Sequence, residues 1–439
     1  MAKFVIKGGK PLKGAVRLGG AKNASFKLMI ASLLAKGESR LLNFSHIADV
    51  EITRKIIEAL GAKVKRSGER TLFVQSFNLN SYIVPEKLGL ASRASTMFIG
   101  PLLFRKKKAI VPLPGGDKIG KRPLDRHFNG LKALGAKISF ESGVFKVIAE
   151  NLKGAYYKFP KNTHTGTETL LMAAAGAKGK SILDNAAKEP EVDELIDYLN
   201  KMGAKIKRIS GRKIEVIGVD KFNPVIHRIM PDRNEAVSYA VAAIASKGDV
   251  IVENAKVGDL KAFLEKIDES GGGYEVGNYG IRFFYKGKLK AVDIITKPHP
   301  GFMTDWQPLW SILATQSLGT STITEAVHIS RFQYVSFLQN MGAKISYFHP
   351  QVADLNTFYN FNSKDDIKKS YHAIKIQGPT SFKAVKAKVP DLRAGATLVL
   401  AGIIAKGKTV LENIEHIDRG YEDLDGRLVE LGAEIERQK

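Results

Sequence analysis

One phrase returns six times along this chain. It reads Leu60-Gly61-Ala62-Lys63-Val64, Leu134-Gly135-Ala136-Lys137-Ile138, Met202-Gly203-Ala204-Lys205-Ile206, Met341-Gly342-Ala343-Lys344-Ile345 and Leu431-Gly432-Ala433-Glu434-Ile435, with a degenerate copy at Gly271-Gly272-Gly273-Tyr274-Glu275. The glycines are spaced 74, 68, 68, 71 and 90 residues apart. A period that long marks one supersecondary unit copied six times. Equivalent positions of the copies are therefore expected to meet in space, which would turn scattered charges into one candidate site.

Each copy opens with a nearly all-apolar helix, over residues 24–35, 94–104, 168–177, 235–245, 307–317 and 394–405. A helix apolar on most faces is buried on most faces. A Gly or Lys-Gly turn and a short β-branched strand often follow. An amphipathic helix comes next, as at 191–202, where Val192, Leu195, Ile196, Leu199 and Met202 form one stripe. The recurring glycine suits its C-terminal cap at positive φ. One strand and its return then complete a βαβαββ unit. Six units divide into two α/β domains of three, residues 21–229 and residues 1–20 with 230–439, with buried helices inside and sheets outside. Lys3–Ile6 and Ala15–Leu18 are additional strands, so the chain is expected to cross between domains twice.

The polar residues gather at the starts of these helices: Lys22 and Asn23, Arg93, Thr165 and Gly166, Asp232 and Arg233, Thr304 and Asp305, Asp391 and Arg393. Helix N-termini are ready anion sites, and Asp, Asn, Ser or Thr serve there as ordinary caps. Cations there are unfavourable unless an anion is present, so Lys22, Arg93, Arg233 and Arg393 point to an anionic ligand. Arg122, Arg331 and Arg419 recur before the amphipathic helices of three copies. Converging arginines suit carboxylate and phosphate groups. The segment Pro112-Leu113-Pro114-Gly115-Gly116-Asp117-Lys118-Ile119-Gly120-Lys121-Arg122-Pro123 is long for a strand-to-helix connection and reads as a lid bearing one acid and several cations. Arg105-Lys106-Lys107-Lys108, by contrast, reads as an exposed loop.

The set Gly20-Ala21-Lys22-Asn23, the Gly-Gly-Asp117 loop ending Arg122-Pro123, Thr304-Asp305-Trp306-Gln307, Asp391-Leu392-Arg393-Ala394 and His416-Ile417-Asp418-Arg419-Gly420-Tyr421 resembles the UDP-N-acetylglucosamine 1-carboxyvinyltransferases, which are enolpyruvyl transferases. The likeness runs the whole length. The related 3-phosphoshikimate enzymes typically carry Ser-Lys-Ser where this chain has Ala21-Lys22-Asn23. The resemblance implies two inside-out α/β barrel domains with an interdomain active-site cleft. It implies transfer of enolpyruvate from phosphoenolpyruvate to the 3′-hydroxyl of UDP-N-acetylglucosamine, with release of phosphate, at the first committed step of peptidoglycan synthesis. No metal or organic cofactor is implied.

By the same resemblance, Lys22 and Asn23 contact phosphoenolpyruvate, and Arg93 lies near the diphosphate. Arg122, Pro123, Leu124, Asp125 and Arg126 hold the uridine nucleotide, with Thr165, Gly166 and Val327 as further nucleotide contacts. Asp305 takes the proton of the sugar hydroxyl, Asp117 stands where the family usually has a cysteine acid, and Arg331, Arg393 and Arg419 form a cationic cage. The chemistry suits these residue types: addition–elimination needs a base at the hydroxyl, an acid at C3 of phosphoenolpyruvate and fixed positive charge around phosphate and carboxylate. Lacking the thiol that fosfomycin alkylates, the protein is expected to resist it. Asn162 departs from a family lysine, with Lys161 one position earlier, and His164 is unusual; helix capping is its favoured role.

Composition limits the rivals. The chain has 439 residues, 44% of them hydrophobic, and no cysteine, which excludes disulfides, thiolate catalysis and cysteine-bound metal. No apolar run approaches the ~18 residues of a membrane span, and the charged N-terminus is unlike a secretory signal, so a cytoplasmic protein is expected. The net charge of +24 keeps nucleic acid open as a rival partner. The aromatic–basic interleaving of a single-strand binder is missing, which leaves nucleic-acid binding or RNA-end processing behind an enolpyruvyl transferase, whether for UDP-N-acetylglucosamine or for another acceptor.

Overall fold

The computed structural model describes residues 2–115, 122–366 and 370–438. All six repeated glycines lie at positive φ, between 76° and 105°. Each follows an amphipathic helix and precedes a strand, so this one backbone requirement sets the period of the chain. The strands that follow are Lys63–Ser67, Lys137–Glu141, Lys205–Ser210, Gly273–Gly277, Lys344–Phe348 and Glu434–Gln438.

The chain forms two compact units, one of residues 20–115 with 122–230 and the other of residues 2–19 with 231–438, apart from the residues not described. They are called here the middle unit and the terminal unit. Each contains three sheets among the described residues. A typical sheet is an antiparallel set of three, such as Glu38–Leu42, Thr71–Gln75 and Lys63–Ser67, with a short parallel strand, Ile226–Arg228, added at its edge. Thr71–Gln75 alternates buried and half-buried residues, as a strand with one face on the core must.

Lys13–Arg17 pairs in parallel with Asp249–Glu253, and Ile226–Arg228 pairs with Glu38–Leu42. Each of these edge strands thus belongs to the unit opposite the helix that follows it, and the chain passes between units at 19–20 and at 230–231. The last copy has no return strand of its own in sequence. Lys3–Lys7 fills that place, antiparallel to both Lys408–Glu412 and Glu434–Gln438.

The all-apolar segments are the buried centres. All thirteen residues of Arg233–Ala245 are buried, and this helix packs against Gln307–Gln316 and Leu392–Ile404. In the middle unit the corresponding helices are Lys22–Ala31, Ile99–Lys106 and His164–Ala175, the second preceded by a 3-10 turn, Arg93–Phe98. Each unit has its own large apolar core. The helices begin earlier than their apolar stretches do: Lys22, Arg93 and Arg233 are first residues of helical turns and Arg393 is a second residue, not positions ahead of them.

Arg105 corrects the reading of the basic run as an exposed loop. It lies in the last turn of Ile99–Lys106, and its Nη1 donates to the carbonyls of Leu33 (2.9 Å) and Ala35 (2.8 Å), satisfying acceptors at the end of the first buried helix. No described helix is long and apolar enough to cross a membrane.

Candidate active site

In the terminal unit the polar residues converge on Asp305. Arg331 Nη2 donates to its Oδ1 at 2.6 Å. Arg393 donates to Oδ2 through Nη2 at 3.1 Å and Nε at 3.3 Å. Both arginines are buried, and the carboxylate keeps part of its surface open, with 22% of the side chain exposed. Charge-assisted bonds from two sides fix the plane of the carboxylate. Burial works against the charge on Arg393, but Tyr421, Asp305 and Asp232 together outweigh it and raise its pKa. Its guanidinium lies over the Tyr421 ring, 5.2 Å from the centroid.

Arg233 is 2% exposed, lies over the Trp306 ring and has its Nη1 3.3 Å from His299 Nδ1. Its helix is capped by Asp232, which accepts from the N–H groups of Asn234 and Glu235. Asp391 caps the Arg393 helix in the same way, through Ala394 N–H. Ordinary capping and cation placement thus coexist at these starts. Arg419, half-buried, follows the short helix Glu415–Asp418.

Two buried carboxylates of this unit were not singled out by the sequence. Glu235 accepts from Arg427 Nη1 at 3.0 Å and from the N–H of Gly19 at 3.3 Å. Burial raises its pKa, although Arg427 opposes the shift. Glu325 is 1% exposed. It accepts from the Thr296 hydroxyl at 2.9 Å, the Thr304 hydroxyl at 2.8 Å and the N–H groups of Val327 and His328 at 2.8 and 2.9 Å. Burial raises its pKa, and the His328 N–H bond, the Arg331 charge and the bonds from Thr304 and Val327 pull it back. Its local mark in sequence is faint: a glutamate directly after a Thr-rich strand.

In the middle unit Lys22 Nζ meets Asp49 Oδ2 at 2.9 Å, and Asn23 beside it is half-buried. Arg93 Nη2 donates to the Arg122 carbonyl at 3.0 Å. Burial, reinforced by the like charges of Arg122 and Arg126, pulls the Arg93 pKa down to about 9. Arg126 is buried and donates to the Asn162 carbonyl at 3.1 Å. Pro123 is half-buried, Leu124 is buried and Asp125 is exposed in the first turn of Asp125–Ala133.

Thr165 contacts the buried His127, with Oγ1 to Nε2 at 3.0 Å. Burial and the charges of Arg93 and Arg126 push His127 down to about 3, so the imidazole is neutral near pH 7. Gly166 is buried one position on, where an added Cβ would lie 2.5 Å from the Thr163 methyl.

Thr163, not His164, caps this helix, its hydroxyl accepting from Gly166 N–H at 3.2 Å. His164 is the first helical residue, and its Nε2 lies 2.9 Å from Lys27 Nζ and 3.1 Å from Glu168 Oε1. Lys27 and Glu168 form a fully buried ion pair across two copies of the repeat. Asn162 is buried, with its amide donating to the Asn185 carbonyl at 3.3 Å, so it does not present a substitute for the family lysine. Glu189, at the start of Pro190–Lys201, is buried and makes no side-chain cap bond.

The structure thus places Asp305, Val327, Arg331, Arg393 and Arg419 in the terminal unit. It places Lys22, Asn23, Arg93, Arg122, Pro123, Leu124, Asp125, Arg126, Thr165 and Gly166 in the middle unit. Asp305, Arg331 and Arg393 are in direct contact. Arg93, Arg122 and Arg126 form a second cluster, joined to Thr165 through His127. Asp117, with the rest of residues 116–121, lies outside the described residues. Among the described residues no cluster suited to a metal ion is found.

Residues 6–428 match the family model described as EPSP synthase (3-phosphoshikimate 1-carboxyvinyltransferase). The chain is 39% identical over 439 residues to a UDP-N-acetylglucosamine 1-carboxyvinyltransferase of Halothermothrix orenii, covering 100% of both. It is 40% identical over 449 residues to the enzyme of that name from Myxococcus xanthus, again covering 100% of both. Among solved structures, the enolpyruvyl transferase NikO from Streptomyces tendae superposes with a TM-score of 0.85 at 22% identity, covering 100% of this chain and 99% of that one. EPSP synthase from Acinetobacter baumannii superposes with a TM-score of 0.75 at 18% identity, covering 100% of both. These two structures bear on the fold, a two-domain enolpyruvyl transferase architecture.

Proposed function

The chain belongs to the EPSP synthase family of carboxyvinyltransferases, and on that premise we propose that it transfers enolpyruvate from phosphoenolpyruvate to the 3′-hydroxyl of UDP-N-acetylglucosamine, releasing phosphate. The observation that carries this reading is identity of 39–40% over the full length to enzymes of that activity. The Asp305 centre supports it chemically. A carboxylate oriented by two buried guanidiniums, yet still open on one side, is placed to accept a hydroxyl proton.

In this reading Asp305 removes the proton from the acceptor hydroxyl as its oxygen bonds to C2 of phosphoenolpyruvate. Asp117 delivers a proton to C3, which gives a tetrahedral phospho-lactoyl adduct. Loss of the C3 proton and of phosphate from C2 then restores the double bond in the product. Lys22 and Asn23, with Arg122, Arg331, Arg393 and Arg419, hold the phosphate and carboxylate of the donor. Fixed cations there stabilise charge that grows as phosphate leaves. Arg93 and the 122–126 stretch hold the nucleotide, with Thr165, Gly166 and Val327. The reaction places the protein in the cytoplasm, at the entry to peptidoglycan synthesis, and needs no metal or organic cofactor.

Phosphate release from phosphoenolpyruvate tests the reading. Release is expected with UDP-N-acetylglucosamine and not with shikimate 3-phosphate or in the absence of an acceptor. A different acceptor is the second reading, favoured specifically by Asn162, whose amide is committed to Asn185. Release with another nucleotide sugar, and none with UDP-N-acetylglucosamine, would select it. Salt-sensitive RNA binding without phosphate release would overturn both.

A further inference from the structure

We propose that Glu325 is a positioning residue that sets the distance between the nucleotide-holding turn at Val327 and the proton acceptor Asp305. The inference rests on the roles given to Val327 and Asp305 under the proposed function. Neither Glu325 nor its partners Thr296 and Thr304 touch substrate in that reading.

The geometry is a double staple. Residues 304–305 and the 325–331 segment are joined at two points, from opposite ends. At one end the Thr304 hydroxyl donates to Glu325 Oε2 at 2.8 Å. At the other, Arg331 donates to Asp305 Oδ1 at 2.6 Å. The Oε1 atom of Glu325 gathers the N–H groups of Val327 and His328, which forms the turn itself. Thr296, directly after the short parallel strand Ile294–Ile295, donates to that same oxygen and also accepts from the Ala326 N–H at 2.8 Å. A buried carboxylate with four donors is a costly object for a chain to keep if its only task is packing; an apolar side chain would fill the volume without desolvating a charge.

The outer side of the turn is backed as well. Residues between Lys344–Phe348 and Ala373–Gly378 form a long connection where the other hairpins turn within a few residues. From it, the N–H of Asn360 donates to the Ala326 carbonyl at 2.7 Å, and Tyr359 and Phe361 pack with Ala326 and Ile329. The His372 carbonyl accepts from the Glu325 N–H at 2.8 Å. The turn is therefore held from both sides, and Glu325 is the only side chain among the described residues that bonds both to the turn's N–H groups and to Thr304.

The test compares full-length wild type with Glu325→Ala, Glu325→Gln and Thr304→Val, using phosphate release with each substrate varied in turn. Loss of the staple in Glu325→Ala is expected to raise the acceptor KM about tenfold and lower kcat about tenfold, with the phosphoenolpyruvate KM within about twofold. Glu325→Gln, whose amide oxygen still accepts from Val327 and His328, is expected to restore the acceptor KM while kcat stays reduced. Thr304→Val is expected to lower kcat with little change in either KM. A purely structural role would reduce active enzyme and leave both KM values alone. That pattern, or an equal rise in both KM values, overturns the proposal. If Glu325→Ala does not fold, Glu325→Gln and Thr304→Val decide together: each is expected to lower kcat per binding-competent enzyme, counted from the calorimetric stoichiometry with UDP-N-acetylglucosamine, and an unchanged kcat per competent site in both overturns the proposal. Failure of the parent reading looks different: wild type itself would release no phosphate with UDP-N-acetylglucosamine, and this inference would fall with it.

Discussion

The arginines of the two units live under opposite electrostatics. Around Asp305, Arg331 and Arg393 share a carboxylate, and the charge of Arg393 is stabilised despite full burial. Around Arg93 the dominant neighbours are Arg122 and Arg126, and burial with like charge pulls its pKa down to about 9. The first cluster is an assembled tool whose partners hold each other in place. In the second, burial and like charge disfavour the charged form of Arg93, which a bound anion would favour. In the proposed reading this difference separates a centre for proton transfer from one that holds phosphate, and it can be tested variant by variant.

The largest effect is expected at the assembled centre. Asp305→Asn should lower kcat by about a thousandfold while the fold persists, because the amide cannot accept a proton. Phosphate release beside a thermal unfolding curve checks this; retained turnover would remove Asp305 from the proton path.

The sharpest contrast pairs Arg393→Met with Arg93→Met. The first leaves Asp305 and Arg331 out of balance and should cost about 3 kcal/mol of stability. The second relieves a repulsion and should leave the unliganded protein as stable as before or more so, while weakening nucleotide binding by about tenfold or more. Unfolding midpoints and calorimetric titration with UDP-N-acetylglucosamine measure both. Equal destabilisation by the two would erase the comparison.

Acidity should act on the units with opposite sign. His127 has a folded pKa of about 3, below its ordinary 6.5, so the unfolded chain binds more protons in that window. Its contribution to stability is complete above the ordinary value and is lost as pH falls through the window, by about 2 kcal/mol at roughly pH 5. His127→Gln should flatten that loss. Glu235 has a folded pKa raised above its ordinary 4.5, so the folded chain binds the extra proton. Its contribution is complete below 4.5 and is lost as pH rises through the raised value. Glu235→Gln should flatten that opposite slope. Unfolding midpoints at several pH values separate the two.

The smallest change to native turnover is expected from Asp117→Cys, which should nevertheless open the enzyme to inactivation by stoichiometric fosfomycin, a drug the wild type is expected to resist. Mass spectrometry of the intact protein would record the covalent adduct. Unchanged resistance would remove residue 117 from the acid position.

The periodic part of this architecture was legible because one local requirement recurs. A residue at φ near 100° after a helix must be glycine or carry strain, and the chain repeats that signature at Gly61, Gly135, Gly203, Gly342 and Gly432. The apolar segments likewise announced the buried helices, since no amphipathic pattern could place them elsewhere. The helices Lys22–Ala31, Arg233–Ala245 and Leu392–Ile404 begin two residues before their apolar stretches although a cation is unfavourable in a first turn, and Lys22, Arg233 and Arg393 are held there by Asp49, Trp306 and Asp305. The contact of Asp305 with Arg393 follows from the convergence of equivalent positions, the starts of two buried helices, whereas Arg331 comes from the same copy as Asp305. Pairings between unlike positions of different copies were not legible: Lys27 finds Glu168 across 141 residues, and His127 finds Thr165 across 38. No spacing rule links those positions. The 90-residue interval before Gly432 holds the long connection that buttresses Ala326, a contact no spacing rule assigns.

The strand Lys3–Lys7 sits between Lys408–Glu412 and Glu434–Gln438. Synthesis runs from the first residue to the last, so this segment leaves the ribosome long before either neighbour exists. The middle unit is finished by residue 230 and is free to acquire its shape while the remaining chain is still being made. The terminal unit must wait for Glu434–Gln438, with Lys3–Lys7 kept available throughout. Chains broken off before residue 434 should therefore leave Lys3–Lys7 short of a neighbour and spare residues 20–230.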